Sequence, residues 1–239
     1  MKILAEIIAG SHLYGLNTVS SDVDIRGVFL NTDPAKILGL ERFSFFKKLQ
    51  EDTIFFELCH FLNGLKKTNT QMIEFLFAEE SCFKLITDEF KHIKDNKYKL
   101  IDSQFFYKSL IGYIQNEKRL ANGERSGKLG GKRKNDIEKY GFSPKNFSHL
   151  FRLAYCGCVF FETDHYPVSI MKENKSFGNF LLDVKTKPEN YSKENLNKIF
   201  EELLEKMIYC FKNKKNNFNF DKIFANNLCK KLYLPYIKN

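Results

Sequence analysis

The sequence predicts an α+β protein: a small mixed β-sheet with flanking helices, followed by a mostly helical C-terminal region. Two observations carry this. Short apolar runs rich in β-branched residues, closed by Gly, Pro, Asn or Asp, occupy the first sixty residues. From about residue 80 onward, apolar residues instead recur at helical spacing over long stretches. The 239 residues, with 25 Phe and no Trp, hold enough apolar material for a substantial core. A division near residue 100 is expected, giving domains 1–100 and 101–239.

Taken in order, Ile3 to Ala9 reads as a strand because of its β-branched content and the Gly-Ser that follows. Val23 to Leu30 is a second strand, broken by Asn31-Thr-Asp-Pro34. Pro34 to Leu40 suits a helical turn that stops at Gly39. Thr53 to Leu58 is a short apolar strand with one carboxylate in it, and Leu58 to Leu65 and Thr70 to Phe77 are helices. Gln104 to Leu120, Lys145 to Phe161 and Lys193 to Lys212 follow as long periodic helices, the last capped by Ser192. Asn122 to Lys134, rich in Gly and Lys and aperiodic, reads as a mobile basic loop.

The stretch Gly10 to Gly27 carries the chemistry. Asp22 and Asp24 stand two apart, so on a strand they project from one face, and paired carboxylates invite a divalent cation. Ahead of them, Gly10 and Ser11 suit a tight turn whose N–H groups hold phosphate. Arg26, two further on, shares their face and either braces the acids or touches triphosphate. A two-metal phosphoryl-transfer site needs three carboxylates around ions about 3.5–4 Å apart. Glu57, a charge inside an apolar run, is favoured as the third over Asp52, which has the character of a turn residue.

Later in the chain, Lys145, His149 and Arg152 fall on one helical face opposite Phe147, Leu150 and Phe151, an arrangement suited to phosphate. Lys128, Lys132, Arg133 and Lys134 form a charge run suited to nucleic acid. A Walker-type reading fails, because no Ser or Thr follows Lys128 or Lys132. Asn69 and Glu74 read as helix-terminal and surface residues.

Gly10-Ser11 with Gly15 and Ser21-Asp22-Val23-Asp24 resembles the signature of the DNA polymerase β-like nucleotidyltransferase superfamily. Gly10-Ser-x-x-Tyr14-Gly15, Ser21-Asp22-x-Asp24-x-Arg26-Gly27, Phe56-Glu57-Leu58, Asn69 with Glu74-Phe75-Leu76, and Tyr140 to Arg152 resemble its RNA-repair-pathway (YcgL-like) branch. The likeness covers about residues 3 to 160 and treats the rest as a helical tail. It implies a catalytic domain over 1–100 and a helical substrate-binding domain over 101–239. It also implies Mg²⁺ (or Mn²⁺) on Asp22, Asp24 and Glu57, an NTP substrate on Gly10, Ser11, Arg26, Lys145, His149 and Arg152, and an RNA 3′ end as acceptor. A protein-AMPylating enzyme and a non-catalytic RNA-binding module are the alternatives. The last requires Glu57 to point away from the aspartates with no Asp52 in its place.

Charge distribution is compatible with an anionic partner. The chain carries net +9, of which +6 lies in Glu117 to Arg152 and another +6 in Met207 to Asn239, leaving the rest at −3. Six cysteines without CxxC or zinc-ligand spacing suggest reduced thiols in the cytoplasm. Cys156 and Cys158, two apart on a helix, point to different sides and do not read as a metal pair. No apolar run reaches the ~20 residues of a membrane span.

Overall fold

The computed structural model describes residues 1–41, 43–48, 52–124 and 131–237. The chain forms two compact units, Met1–Phe106 with Asn217–Asn239, and Tyr107–Asn216.

In the first unit, β1 (Lys2–Ala9), α1 (Gly10–Tyr14), β2 (Asp24–Leu30), α2 (Pro34–Leu38), β3 (Phe45–Lys48), β4 (Thr53–Glu57), α3 (Leu58–Lys66), α4 (Thr70–Phe77), β5 (Phe83–Ile86) and α5 (Asp88–Asp95) follow one another. The sheet order is β3-β4-β2-β1-β5. It is mixed: β2 and β4 run parallel, and every other pair is antiparallel. Strands β3 and β5 were not foreseen. Each has only four residues and lies at a sheet edge, too short for alternation to stand out from helical spacing.

Local signals set the helices beside the sheet. Asp33 and Asn69 cap α2 and α4 by accepting from Ala35 N–H and Gln71 N–H, both at 3.0 Å, each worth about 1 kcal/mol. The apolar faces of α3, α4 and α5 bring together Phe61, Phe75 and Phe90, all buried, with centroids 5.5 to 6.0 Å apart in edge-on or tilted geometry.

The segment after Asn216 rejoins this unit, whereas the sequence reading kept 101–239 as one block. Part of the attachment is made by backbone groups that no side-chain pattern encodes. Ser103 N–H donates to Phe218 O at 3.0 Å, and Asp221 N–H to Lys99 O at 2.7 Å. Tyr98 stacks on Phe218 at 4.6 Å. Further along this segment, Cys229 Sγ lies 3.8 Å from Cys59 Sγ on α3.

Helix α6 (Ser103–Ala121) crosses from the first unit into the second, which continues with α7 (Gly131–Tyr140), α8 (Pro144–Thr163), α9 (Ile170–Glu173), α10 (Lys175–Thr186) and α11 (Lys193–Lys212); α12 (Lys222–Ile237) belongs to the first. Helix α8 is central and buried along most of its length. Its Phe151 meets Phe180 at 5.1 Å and Phe200 at 6.4 Å. Ser192 caps α11 as expected, accepting from Asn195 N–H at 3.1 Å.

One expectation is corrected here. Residues 131–134, read as the end of a basic loop, open helix α7. Lys and Arg are good helix formers, and this helix lacks the apolar stripe by which the others announce themselves. Among the described residues, no helix is long and apolar enough to cross a membrane.

Candidate active site

Asp24 opens β2 directly opposite Ala9, and Arg26 stands opposite Ile7. These four share one face of the sheet. On the other side of β2, Ile25 pairs with Thr53 and Arg26 with Ile54, so one step back brings Asp52 beside Asp24. The junction is fastened by two bonds to Asp52 O, from Ile25 N–H at 3.3 Å and from Arg26 Nη1 at 2.8 Å. Asp52 adopts φ 43°, a left-handed conformation that Asp tolerates better than most residues. It is a turn residue, as the sequence suggests, and its carboxylate also reaches the acidic face.

Arg26 Nη2 donates to Asp24 Oδ1 at 3.1 Å. Asp24 nevertheless has a pKa above the usual carboxylate range. Burial is the main cause. The Arg26 charge works against it, and the charge of Asp52, with the hydrogen bond between the two acids, adds to it. The half-buried Asp24 and the exposed Asp52 therefore crowd each other, and Arg26 braces them.

Gly10 has two reasons to be glycine. Its φ is +64°, and a Cβ there would lie 2.3 Å from Asp24 Oδ2. The missing side chain is the space into which the carboxylate projects. Ser11 follows in the first turn of α1, half-buried, with its carbonyl accepting from Leu16 N–H at 2.8 Å. Gly15 ends the helix in the left-handed region at φ 70°. A hydroxyl-stitched turn then leads to the aspartates, with Thr18 N–H donating to Ser21 Oγ at 2.8 Å.

Tyr14 Oη donates to Glu74 Oε1 at 2.8 Å and so ties α1 to α4. Gly10, Tyr14, Asp24, Arg26, Gln71 and Glu74 line a cavity of about 110 Å³. Glu74, read as a surface residue, is 4% exposed. The available signal was its helix: Thr70 to Phe77 is apolar on nearly every side, so a carboxylate within it has to be buried.

The donors suit a hard divalent cation. Carboxylate oxygens are the ligands that Mg²⁺ and Mn²⁺ prefer, and such an ion would relieve the crowding of Asp24 and Asp52. Asp22 lies exposed, two residues ahead of the strand. Among the described residues, the three aspartates do not gather within 4.8 Å of one another.

Glu57 is not part of this group, which corrects the sequence reading. It pairs with Phe29, five residues along β2 from Asp24, or roughly 16 Å at strand rise. The odd offset also puts it on the opposite face. Its burial is answered by the start of α3, where its Oε2 accepts from Cys59 N–H at 2.8 Å and His60 N–H at 3.4 Å.

A model of the RNA repair pathway DNA polymerase beta family (RlaP) matches residues 1–222. The chain belongs to this family. Neither the curated proteins nor the solved structures give a match. Membership supports a nucleotidyltransferase-type role, and the family generally implies an NTP and a divalent metal. The match runs well beyond Phe161, where the sequence resemblance stops, through α11 to the start of α12.

The remaining candidates from the family's later motifs lie in the second unit and are only partly as expected. Lys145 is exposed, but Arg152 is 2% exposed, so the proposed cationic face is largely internal. Arg152 Nη2 lies 3.3 Å from His149 Nδ1, and His149 Nε2 lies 3.1 Å from Tyr113 Oη on α6. Because Arg can only donate, Nδ1 accepts and the ring proton sits on Nε2. The helical wheel gave the direction correctly. It did not reveal that α8 is covered on that side as well. Lys132, Arg133 and Lys134 fall in the first turn of α7, and Lys128 lies outside the described residues.

His149 has a pKa pushed down to about 3, first by burial, then by the charges of Arg152 and Lys145. The unfolded state takes up the proton near 6.5 while the folded state does not, so the stability this neutral ring contributes is full above about 6.5 and is lost as pH falls toward 3. We expect the second unit to lose up to ~1.4 kcal/mol per pH unit in that window. Melting curves of wild type and His149→Gln at stepped pH test this. Equal acid slopes for the two proteins would refute it.

Proposed function

We propose that the protein is a metal-dependent nucleotidyltransferase that transfers a nucleoside monophosphate from an NTP to a hydroxyl at an RNA 3′ end, in RNA repair. The observation that carries this reading is the placement of Asp52, in the turn that enters β4, beside Asp24 at the start of the parallel strand β2 and against Gly10. We assign Asp24 and Asp52 as metal ligands, joined by Asp22 from the preceding segment. When bound, Mg²⁺ or Mn²⁺ supplies charge neutralisation and a lowered pKa for the attacking hydroxyl.

The chain's own residues do the rest. Gly10 and Ser11 receive phosphate oxygens, and Arg26 holds the two aspartates in register. The acceptor oxygen bonds to the α-phosphorus, the bond to the bridging oxygen breaks, and pyrophosphate leaves. No protein nucleophile is needed, so positioning and electrostatics carry the rate. In the second unit, Lys145 and the basic first turn of α7 are assigned to RNA phosphate. Three cations at the positive end of a helix gain from an anion.

Incubation with NTPs labelled at the α-phosphate, together with cell RNA and cell protein, tests the proposal. Label should enter RNA, and Lys132→Glu with Arg133→Glu should weaken RNA binding about tenfold at low salt, by a margin that shrinks as salt rises. Label confined to protein would favour AMPylation. Binding of RNA with no label transferred would favour the non-catalytic module.

A further inference from the structure

The seam between α8 and α11 in the second unit brings together residues distant in sequence. Cys158 and Cys210 place their sulfurs 3.3 Å apart, and both residues are buried. Glu162, one turn beyond Cys158 on the same face, is exposed, and the three ligand atoms all lie within 4.8 Å of one another. The helices approach this closely because Gly157 has no side chain. A Cβ there would lie 2.6 Å from Met207 Sδ on α11 and 2.5 Å from Leu110 Cδ2 on α6.

The geometry points to a metal site in which Cys158, Cys210 and Glu162 hold a thiophilic divalent cation, Zn²⁺ by its chemistry, with water in the fourth position. Two Zn–S bonds of about 2.3 Å at a tetrahedral angle separate the sulfurs by roughly 3.8 Å, so the pair need open only by about half an ångström. Charge also fits. Two thiolates and Glu162 sum to −3, and Lys206, one turn before Cys210 and felt by Cys158, supplies +1. A divalent ion restores neutrality, and the two thiol protons go to solvent as it binds. Exposed Glu162 gives the ion an entry route. The other close thiol pair, Cys59 and Cys229, has no third ligand of this kind among the described residues.

The test uses the full chain under reducing conditions in a Cys59→Ser/Cys229→Ser background, stripped of metal and refilled with Zn²⁺ or Co²⁺ in excess Mg²⁺. The excess Mg²⁺ keeps the aspartate site occupied. One Zn²⁺ per chain should bind at submicromolar Kd and raise the melting temperature, and Co²⁺ should give thiolate-to-metal charge-transfer absorption. Cys158→Ser or Cys210→Ser should weaken binding at least 100-fold. Glu162→Gln, a surface change that leaves folding intact, should weaken it about tenfold while keeping the charge-transfer band. The proposal is overturned if this background takes up no stoichiometric Zn²⁺, if bound Co²⁺ has no sulfur signature, if Glu162→Gln binds as tightly as its parent, or if Cys158 and Cys210 are joined as a disulfide in the reduced preparation.

Discussion

Asp24→Asn should lower nucleotide transfer by at least about 10³-fold, equivalent to ~4 kcal/mol of transition-state stabilisation, without unfolding the protein. The carboxylate lies half-buried beside Asp52 on one side and in the space left by Gly10 on the other, so its negative charge is what the site offers a cation. The same surroundings raise its pKa, which means the fold tolerates the charge rather than gaining from it. Asn retains the shape and removes the repulsion with Asp52, at the expense of the ion pair with Arg26. Melting temperature should therefore remain within a few degrees of wild type. Single-turnover transfer with labelled NTP, alongside thermal melts, measures both quantities. Activity within tenfold of wild type would sink the mechanism.

The second large effect separates Asp52 from Glu57, the two acids weighed for the third ligand. Asp52→Asn should cost about 10²- to 10³-fold in transfer, because Asp52 stands beside Asp24 from the turn that enters the neighbouring strand. Glu57→Gln should leave the rate within about threefold and instead cost ~1 kcal/mol of stability, since its carboxylate caps α3. Assaying both variants side by side for rate and melting temperature gives a crossed pattern if the strand register is as described. The opposite pattern would return Glu57 to the metal site and reject Asp52.

That pair also marks where sequence reasoning stops. That Gly10 meets Asp24 was legible because the arrangement is local: a turn, then a strand along one chain segment. Which acid stands beside Asp24 depends on how β4 pairs with β2, a non-local register in which an odd offset moves a side chain to the other face. Glu57 had the right charge and an apolar setting, yet the turn residue Asp52 had the right register. Arg152 illustrates a related limit. Helical periodicity assigns a direction to each side chain, but only packing tells whether that direction leads to solvent, and here Tyr113 and His149 lie along it. Cys158 and Cys210, 52 residues apart, carry no spacing signal at all.

The return of residues 217–239 to the first unit has a consequence for the order of events during synthesis. The helical unit is, in topology, an insertion between two pieces of the sheet unit. On a ribosome adding ~5–20 residues per second, the intervening 107–216 take between about 5 and 22 s to emerge. Through that interval α3 waits without α12, with Cys59 and its neighbours uncovered. The inserted helices can close first, and the sheet unit that bears the aspartates is the last to be finished.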